Sequence, residues 1–253
     1  MGDAATEALP QTCCPTVWLW PGQAMYAGPS LNLAPHSGSV WCFAAGIGGP
    51  LTVTTPDGAP RQARSVLIPP RVTHQMVCHG AGLVSCYLEP TSARAEACRS
   101  AMSEWIGPIG LTHTAEDRLL AMPQDDESAS RWLDSAAPAT QRAVDPRITA
   151  AARRIRDDPA TAVSSRELAG QAGVSESRFL HLFRDELGTS LRRYRIWVRL
   201  VHAGTAIAAG ANLTEAAMKA GFASPSHLAD RFKTTFGLSA SQLLATGLTV
   251  RTP

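Results

Sequence analysis

The spacing of hydrophobic residues divides the chain into two parts with different patterns. Up to about residue 90, short runs rich in β-branched and aromatic residues are separated by Gly, Pro and Asp, as in "SVWCFAAG", "PLTVTT" and "GLVSCYLEP". Short strands at this spacing are typical of an antiparallel barrel or sandwich. Beyond residue 146 the apolar residues recur three and four positions apart, which indicates helices. The pattern therefore predicts an α+β protein with its strands first and its helices last.

The pattern also predicts helices after the last strand and a linker behind them. One helix is expected over residues 91–107, where Ala97, Ala101 and Trp105 would share a face that could mediate dimerisation, and a second over residues 115–122. Residues 121–146 are rich in Asp, Ser, Ala and Pro, which is typical of a linker, with room for a helical turn or two. The predicted division is a first domain over 1–122, a linker over 123–145 and a second domain over 146–253.

A small helical pattern occurs twice in the second domain, at about residues 164–188 and 213–237. Each copy has a short apolar helix, a glycine where the chain must turn (Gly173, Gly221), and an amphipathic helix closed by another glycine (Gly188, Gly237). The turn glycines are 48 residues apart and the closing glycines 49, so one residue is inserted after the second turn. Short helix, turn and amphipathic helix in this order predict two helix-turn-helix units.

The outer face of the second helix in each unit is the surface that could enter a DNA major groove. Ser, His and Asp side chains can contact base edges there, and Arg or Lys side chains suit phosphates. A helix over residues 190–209 would join the units; its length of ~30 Å is close to the ~34 Å repeat of the groove. The predicted DNA-binding residues are Ser177, Leu180, His181 and Arg184 in the first unit, and Ser226, His227, Asp230 and Lys233 in the second.

Charge is distributed unevenly between the two parts. Residues 1–145 contain 8 Arg or Lys and 13 Asp or Glu, a net charge of −5, and residues 146–253 contain 15 and 8, a net charge of +7. A basic domain is consistent with a polyanionic partner, although a solvated basic face would look the same.

Residues 146–244 resemble the DNA-binding domain of the AraC/XylS family of bacterial transcription regulators, through "LAGQAGVSESRFLHLFRDELGTSLRRYRIWVRLVHA" and "AAMKAGFASPSHLADRFKTTFGLSASQLL". The resemblance implies double-stranded DNA as partner, a homodimer, and RNA polymerase as a further partner if the protein is an activator. It places Ser177, Leu180 and His181, and then Ser226, His227 and Asp230, at base-reading positions. Asp230 departs from the Arg that many members carry, and Ala240, Leu243 and Leu244 replace the closing residues of the family pattern.

"VLIPPRVTHQMV" resembles the second half of a cupin barrel, in which a strand carries an inward His. The predicted fold class is thus α+β: an N-terminal cupin-like antiparallel β-barrel with dimerising helices, and a C-terminal all-α domain with two helix-turn-helix units. The candidate effector-binding residues are His36, Cys42, His74 and Cys78. The His-x-His and Glu ligands of metal-binding cupins are missing, so no metal and no cofactor is predicted.

These features predict a DNA-binding transcription regulator that is controlled by a small-molecule effector in the barrel and is not an enzyme. Two alternatives stay open: a cupin-type metal-dependent enzyme with an accessory helical domain, and a constitutive DNA binder whose barrel only dimerises. Since no apolar run approaches the ~20 residues of a membrane span and the N-terminus lacks a secretory pattern, the prediction is a cytoplasmic protein without a membrane partner.

Overall fold

The computed structural model describes residues 15–31, 33–56, 58–139 and 144–253. Strands and helices are separated along the chain, with the strands mainly in the first half. The strands are β1 Thr16–Trp20, β2 Gln23–Gly28, β3 Trp41–Ile47, β4 Leu51–Thr54, β5 Arg61–Ala63, β6 Ser65–Ile68, β7 Gln75–Cys78, β8 Gly82–Leu88, β9 Met102–Ile106, β10 Ile109–His113 and β11 Thr249–Arg251. The helices are α1 Ala93–Ser100, α2 Asp126–Ala136, α3 Pro146–Asp157, α4 Ser165–Gln171, α5 Glu176–Leu187, α6 Leu191–Ala208, α7 Leu213–Lys219, α8 Pro225–Phe236 and α9 Ala240–Leu244.

The strands form two sheets. The larger has eight strands in the order β11-β1-β2-β8-β3-β6-β10-β9, and the smaller has three in the order β5-β4-β7. Apart from β11, which runs parallel to β1, the paired strands are antiparallel. Trp18, Phe43 and Leu88 are fully buried in the core on one side of the larger sheet. The α+β fold class is confirmed, with a sheet that fits a cupin-like domain without closing into a complete barrel among the described residues.

The helix that the sequence predicts over residues 91–107 is shorter, and its second half is a strand. Helix α1 ends at Ser100, and β9 pairs antiparallel with β10 so that Ile106 lies opposite Ile109. Gly107, with φ of 56°, and Pro108 form the two-residue turn of this hairpin. The predicted stripe is therefore wrong, because Trp105 belongs to a strand and not to the helix that contains Ala97.

Two other segments between the domains differ from their predictions. The helix expected over residues 115–122 is only a short 3-10 helix, Glu116–Arg118. Within the predicted linker, α2 is a full helix whose N-cap Asp125 forms a reciprocal capping box with Ser128. It buries Trp132 and Leu133 against the first core, and this burial, which composition does not reveal, explains why the segment is ordered.

The helical domain follows its predicted plan closely. Ser164 and Ser175 cap the two helices of the first unit, and Ser190 caps α6, whose 18 residues span about 27 Å. In the second unit the N-cap of α7 is Asn212, whose side chain accepts hydrogen bonds from the backbone N–H groups of residues 214 and 215. Among the described residues, no helix combines the length and apolar character needed to cross a membrane.

The helical domain packs directly on the larger sheet. A second core cluster joins Leu19, Ala24 and Val40 of the β domain to the buried Phe183 and Trp197 of the helices. Strand β11, at the end of the helical domain, adds to the free edge of β1. Close to this contact, the carboxylate of Glu89 accepts hydrogen bonds from side chains of α3 and α6. The two domains therefore share apolar, main-chain and charged contacts.

Candidate nucleic-acid interface and interdomain cavity

The two helix-turn-helix units have the same turn geometry. Gly173 and Gly221 both adopt left-handed backbone conformations, with φ of 65° and 75°. In each turn the next residue donates its backbone N–H to the helix before it: Val174 to Ala169 at 3.1 Å, and Phe222 to Ala217 at 2.9 Å. The inserted residue lies between Phe222 and the N-cap Ser224, so α5 and α8 both begin from a serine cap and both have 12 residues.

The outer face of α5 is open to solvent. Ser177, Leu180, His181 and Arg184 are all exposed, and the apolar Leu180 is 40% exposed. His181 Nε2 lies 3.3 Å from the Asp185 carboxylate one turn later, which leaves its ring at the surface. Phe179 and Phe183 cover the opposite face and are completely buried. The predicted reading positions of the first unit therefore lie together on an accessible helix surface.

The outer face of α8 is open as well, with one difference. Ser226, Asp230 and Lys233 are exposed, whereas His227 is half-buried and its ring meets Phe222 edge-on at 5.4 Å. Asp230 pairs with the neighbouring Arg231. The guanidinium of Arg231 therefore lies beside the Asp230 carboxylate, which the sequence prediction for Asp230 alone did not include.

Several basic side chains of α6, the helix between the two units, are engaged within the protein. On α6, Arg195 donates to the Val163 carbonyl, and Arg199 Nε donates to the Pro159 carbonyl at 3.0 Å. Arg193 donates to the Ser37 hydroxyl at 3.4 Å, across to the β domain. Arg184 and Lys233 are the exposed cations on the two outer faces that the sequence assigned to phosphates.

A cavity of about 150 Å³ lies between the β domain and the helical domain. The β domain contributes strands β1, β2 and β8, and the helical domain contributes α6, α8, α9 and β11. Aromatic rings form much of the wall: Tyr87 lies 6.0 Å from Trp197 and meets Phe236 edge-on at 5.3 Å. Phe232 and Phe236 come from the last turns of α8, so the cavity wall and the second outer face belong to one helix.

Two of the four predicted effector residues line this cavity and two do not. His36 and Cys42 line this cavity. His74 is buried with its ring 4.5 Å from that of His36 but does not line the cavity, and Cys78 is outside it, donating its thiol hydrogen to the Gly82 carbonyl at 2.9 Å. Burial lowers the pKa of His36, and burial together with the neighbouring His36 lowers the pKa of His74 to about 4.

In the part of the chain that the structure describes, no three His, Cys, Asp or Glu side chains lie close enough together to bind a metal ion. Burial raises the pKa of the Cys42 thiol to about 12, which keeps that thiol protonated. Most of the cavity wall could not be predicted from a strand pattern, because it combines residues from both ends of the chain.

A β domain joined to two exposed helix-turn-helix units defines a class of protein that binds DNA through paired helices. Residues 168–246 match a family model described as a helix-turn-helix domain. Among solved structures, apo ToxT (a variant) from Vibrio cholerae strain SCE256 has a TM-score of 0.58 at 11% identity, covering 89% of this chain and 97% of that one. Wild-type ToxT from the same strain, bound to an unsaturated fatty acid, has a TM-score of 0.54 at 11% identity, covering 89% and 92%.

A third structure, ToxT from Vibrio cholerae O395 bound to (E)-4-(8-methylnaphthalen-1-yl)but-3-enoic acid, has a TM-score of 0.53 at 11% identity, covering 88% of this chain and 98% of that one. No curated protein matches the sequence. The match to the helix-turn-helix model confirms the predicted resemblance of the second domain to the AraC/XylS family, and the likeness to ToxT shows that the two proteins share a fold.

Proposed function

We propose that the protein regulates transcription by reading a specific DNA sequence with the outer faces of α5 and α8. The observation that carries the proposal is that two units with matching turns and caps both leave these faces exposed. Ser177, Leu180 and His181 would face bases in one groove, and Ser226, His227 and Asp230 would face bases in another, with Arg184 and Lys233 on phosphates. Helix α6, about 27 Å long, is a stiff spacer of suitable length for successive major grooves.

Binding to a selected operator tests this reading face. Starting from an oligonucleotide selected from a random pool, His181→Ala and His227→Ala should each weaken specific binding by about 1–3 kcal/mol, the scale of a base contact. His202→Ala is the matched control, because His202 is an exposed histidine on α6 and outside both faces. If both test variants bind the operator like His202→Ala, the assignment of the reading face is wrong.

The phosphate contacts have a separate signature. Each phosphate contact releases counterions, so the logarithm of affinity falls linearly with the logarithm of salt concentration. Arg184→Ala and Lys233→Ala should each weaken binding to all sequences alike and reduce the salt slope by about 1. Arg131→Ala, which removes an exposed cation of α2 in the β domain, should leave the slope unchanged.

We further propose that a small molecule in the interdomain cavity controls DNA binding. Two observations support this: the cavity lies where both domains meet, and its wall includes Phe232 and Phe236 of the second reading helix. The structurally similar ToxT has been solved with an unsaturated fatty acid bound. A ligand in the cavity would therefore touch the β domain and a DNA-reading helix together. Homodimerisation and contact with RNA polymerase stay predictions of the family resemblance.

Cumene, a small apolar probe, tests whether the cavity can be occupied. A ligand that binds the folded state raises the melting temperature with its concentration. Gly204 lines the cavity on α6, and an added Cβ would lie 2.9 Å from Leu19 Cδ1, the flexible end of a side chain. Gly204→Leu should therefore fill the cavity and abolish the cumene response, while Thr205→Leu, at the exposed neighbouring position, should preserve it. Absence of a response in the wild type would refute this role for the cavity.

A further inference from the structure

We infer that the ligand of this cavity is a small uncharged molecule, mainly apolar, with a hydrogen-bond acceptor that takes the indole N–H of Trp197. The inference rests on the proposed role of the cavity as the effector site and specifies the chemistry of the effector. It distinguishes this protein from a receptor for carboxylic acids, such as the unsaturated fatty acid and the substituted butenoic acid with which ToxT has been solved.

The first step concerns charge. Among the described residues that line the cavity, none is Lys, Arg, Asp or Glu. The nearest substitute for a cation would be His36, but burial lowers its pKa and leaves its imidazole neutral near neutral pH. A carboxylate moved from water into such a wall would lose its hydration without gaining an ionic partner, which is strongly unfavourable. The lining therefore selects against anions.

The second step concerns one polar atom. Trp197 is 1% exposed and lines the cavity, yet its Nε1 has no hydrogen-bond partner among the described residues. An indole N–H can only donate, and buried donors are nearly always paired. The Tyr26 hydroxyl, another polar group of the wall, is already engaged within the protein, because it donates to the Pro29 carbonyl at 2.7 Å. A ligand that carries a carbonyl or ether oxygen would satisfy Trp197.

The third step concerns size. At about 150 Å³ the cavity is comparable with apolar cavities that accept a benzene-sized molecule without rearrangement. The aromatic side chains of Tyr87, Trp197 and Phe236 would surround such a ligand. A compact ligand with a single ring or a short branched chain fits this space, whereas a long acyl chain exceeds its volume.

An isosteric series tests the charge requirement. Acetophenone, benzoate and cumene have the same number of heavy atoms and nearly the same shape, and differ in carrying a carbonyl, an ionised carboxylate at about pH 7.5, or no polar group. Using the 253-residue chain and calorimetric titration, we expect acetophenone and cumene to bind, and benzoate to bind at least about 100-fold more weakly than acetophenone. Benzoate binding within about 10-fold of acetophenone would overturn the requirement for a neutral ligand.

Trp197→Phe tests the donor while keeping an aromatic ring in the wall. Loss of the N–H should weaken acetophenone about 5- to 10-fold more than cumene, because only the ketone loses a hydrogen bond, and cumene corrects for the change in cavity shape. An equal change for both ligands would overturn the assignment of Trp197 as the donor.

The outcomes separate this inference from the proposal on which it rests. If Gly204→Leu binds the ligands as well as the wild type does, or if none of the three ligands binds the wild type, the cavity is not the effector site. If the ligands bind and Gly204→Leu blocks them but their ranking is reversed, the effector site stands and its stated chemistry is wrong.

Discussion

The contact of Glu89 with the helical domain gives a quantitative prediction for Arg156→Ala. The Glu89 side chain is 2% exposed and accepts a hydrogen bond from Arg156 of α3 at 2.5 Å. It also accepts one from the Tyr194 hydroxyl of α6 and one from the Thr91 hydroxyl at 2.6 Å. The carboxylate at the end of β8 thus fixes two helices of the DNA-binding domain, and Arg156 supplies the only cation with which the structure pairs it among the described residues.

The magnitude follows from what the substitution leaves behind. Removing one partner of a buried ion pair costs about 3–5 kcal/mol, because the remaining charge stays buried. The two hydroxyl donors remain, and Arg156 itself is 31% exposed, so the loss should be at the lower end, about 3 kcal/mol. For a chain of this size that corresponds to a fall in Tm of about 6–12 °C.

Thermal and urea unfolding of matched variants would measure this. Arg131→Ala removes an arginine from an exposed pair with Glu127 and should cost less than about 0.5 kcal/mol. Adding Glu89→Gln to Arg156→Ala should recover about 1–2 kcal/mol, because it removes the buried unpaired charge. If Arg156→Ala is no more destabilising than Arg131→Ala, or if Glu89→Gln worsens it, the reasoning from burial is refuted.

Three further predictions concern other parts of the chain. Folding lowers the pKa of His74 to about 4, so between about pH 6.5 and 4 only the unfolded chain binds the His74 proton, and the free energy of unfolding decreases as the pH is lowered. His74→Gln should therefore reduce the stability lost between pH 7.5 and pH 5 by about 2 kcal/mol, as measured by urea unfolding. In the same assay, Gly221→Ala should destabilise the protein by more than about 3 kcal/mol, because the added Cβ would lie 2.6 Å from the Ala160 backbone. Gly173→Ala should cost only about 1 kcal/mol, because its added Cβ would meet open space within 4 Å, and equal losses for the two variants would contradict this reasoning. If Leu180 reads a thymine methyl, replacing operator thymines by uracil should cost about 0.8 kcal/mol in the wild type and nothing in Leu180→Ala.

The helix-turn-helix units could be predicted from sequence because their determinants are local. Each amphipathic helix repeats its apolar residues at helical spacing, and each turn needs a glycine with positive φ, as Gly173 and Gly221 show. Where two polar residues stand close together, the pattern does not decide which one caps: Asn212 caps α7 although Thr214 is also a suitable residue type.

Features that depend on distant contacts could not be predicted. Helix α2 has the composition of a linker and is held by the burial of Trp132 and Leu133 in the first core. Strand β11 has three residues without a periodic pattern and exists through its pairing with β1, at the other end of the chain. The cavity has the same origin, because its wall combines β1, α6 and the last turns of α8.

The position of the cavity predicts that the proposed effector would act unequally on the two proposed reading helices, α5 and α8. Both helices end next to the β domain, and a hydrogen bond joins the end of α8 to it: the carbonyl of Gly237, just after α8, accepts a hydrogen bond from the Ala34 N–H at 3.0 Å. At Gly188, just after α5, an added Cβ would lie 4.0 Å from Pro70, which is an ordinary van der Waals distance. Of the two helices, α8 alone contributes side chains to the described cavity wall. A ligand should therefore alter contacts of the second unit first. Footprinting an operator with and without cumene should show changed protection mainly in the half-site whose binding depends on His227, and equal changes in both half-sites would show that the domains move as a whole.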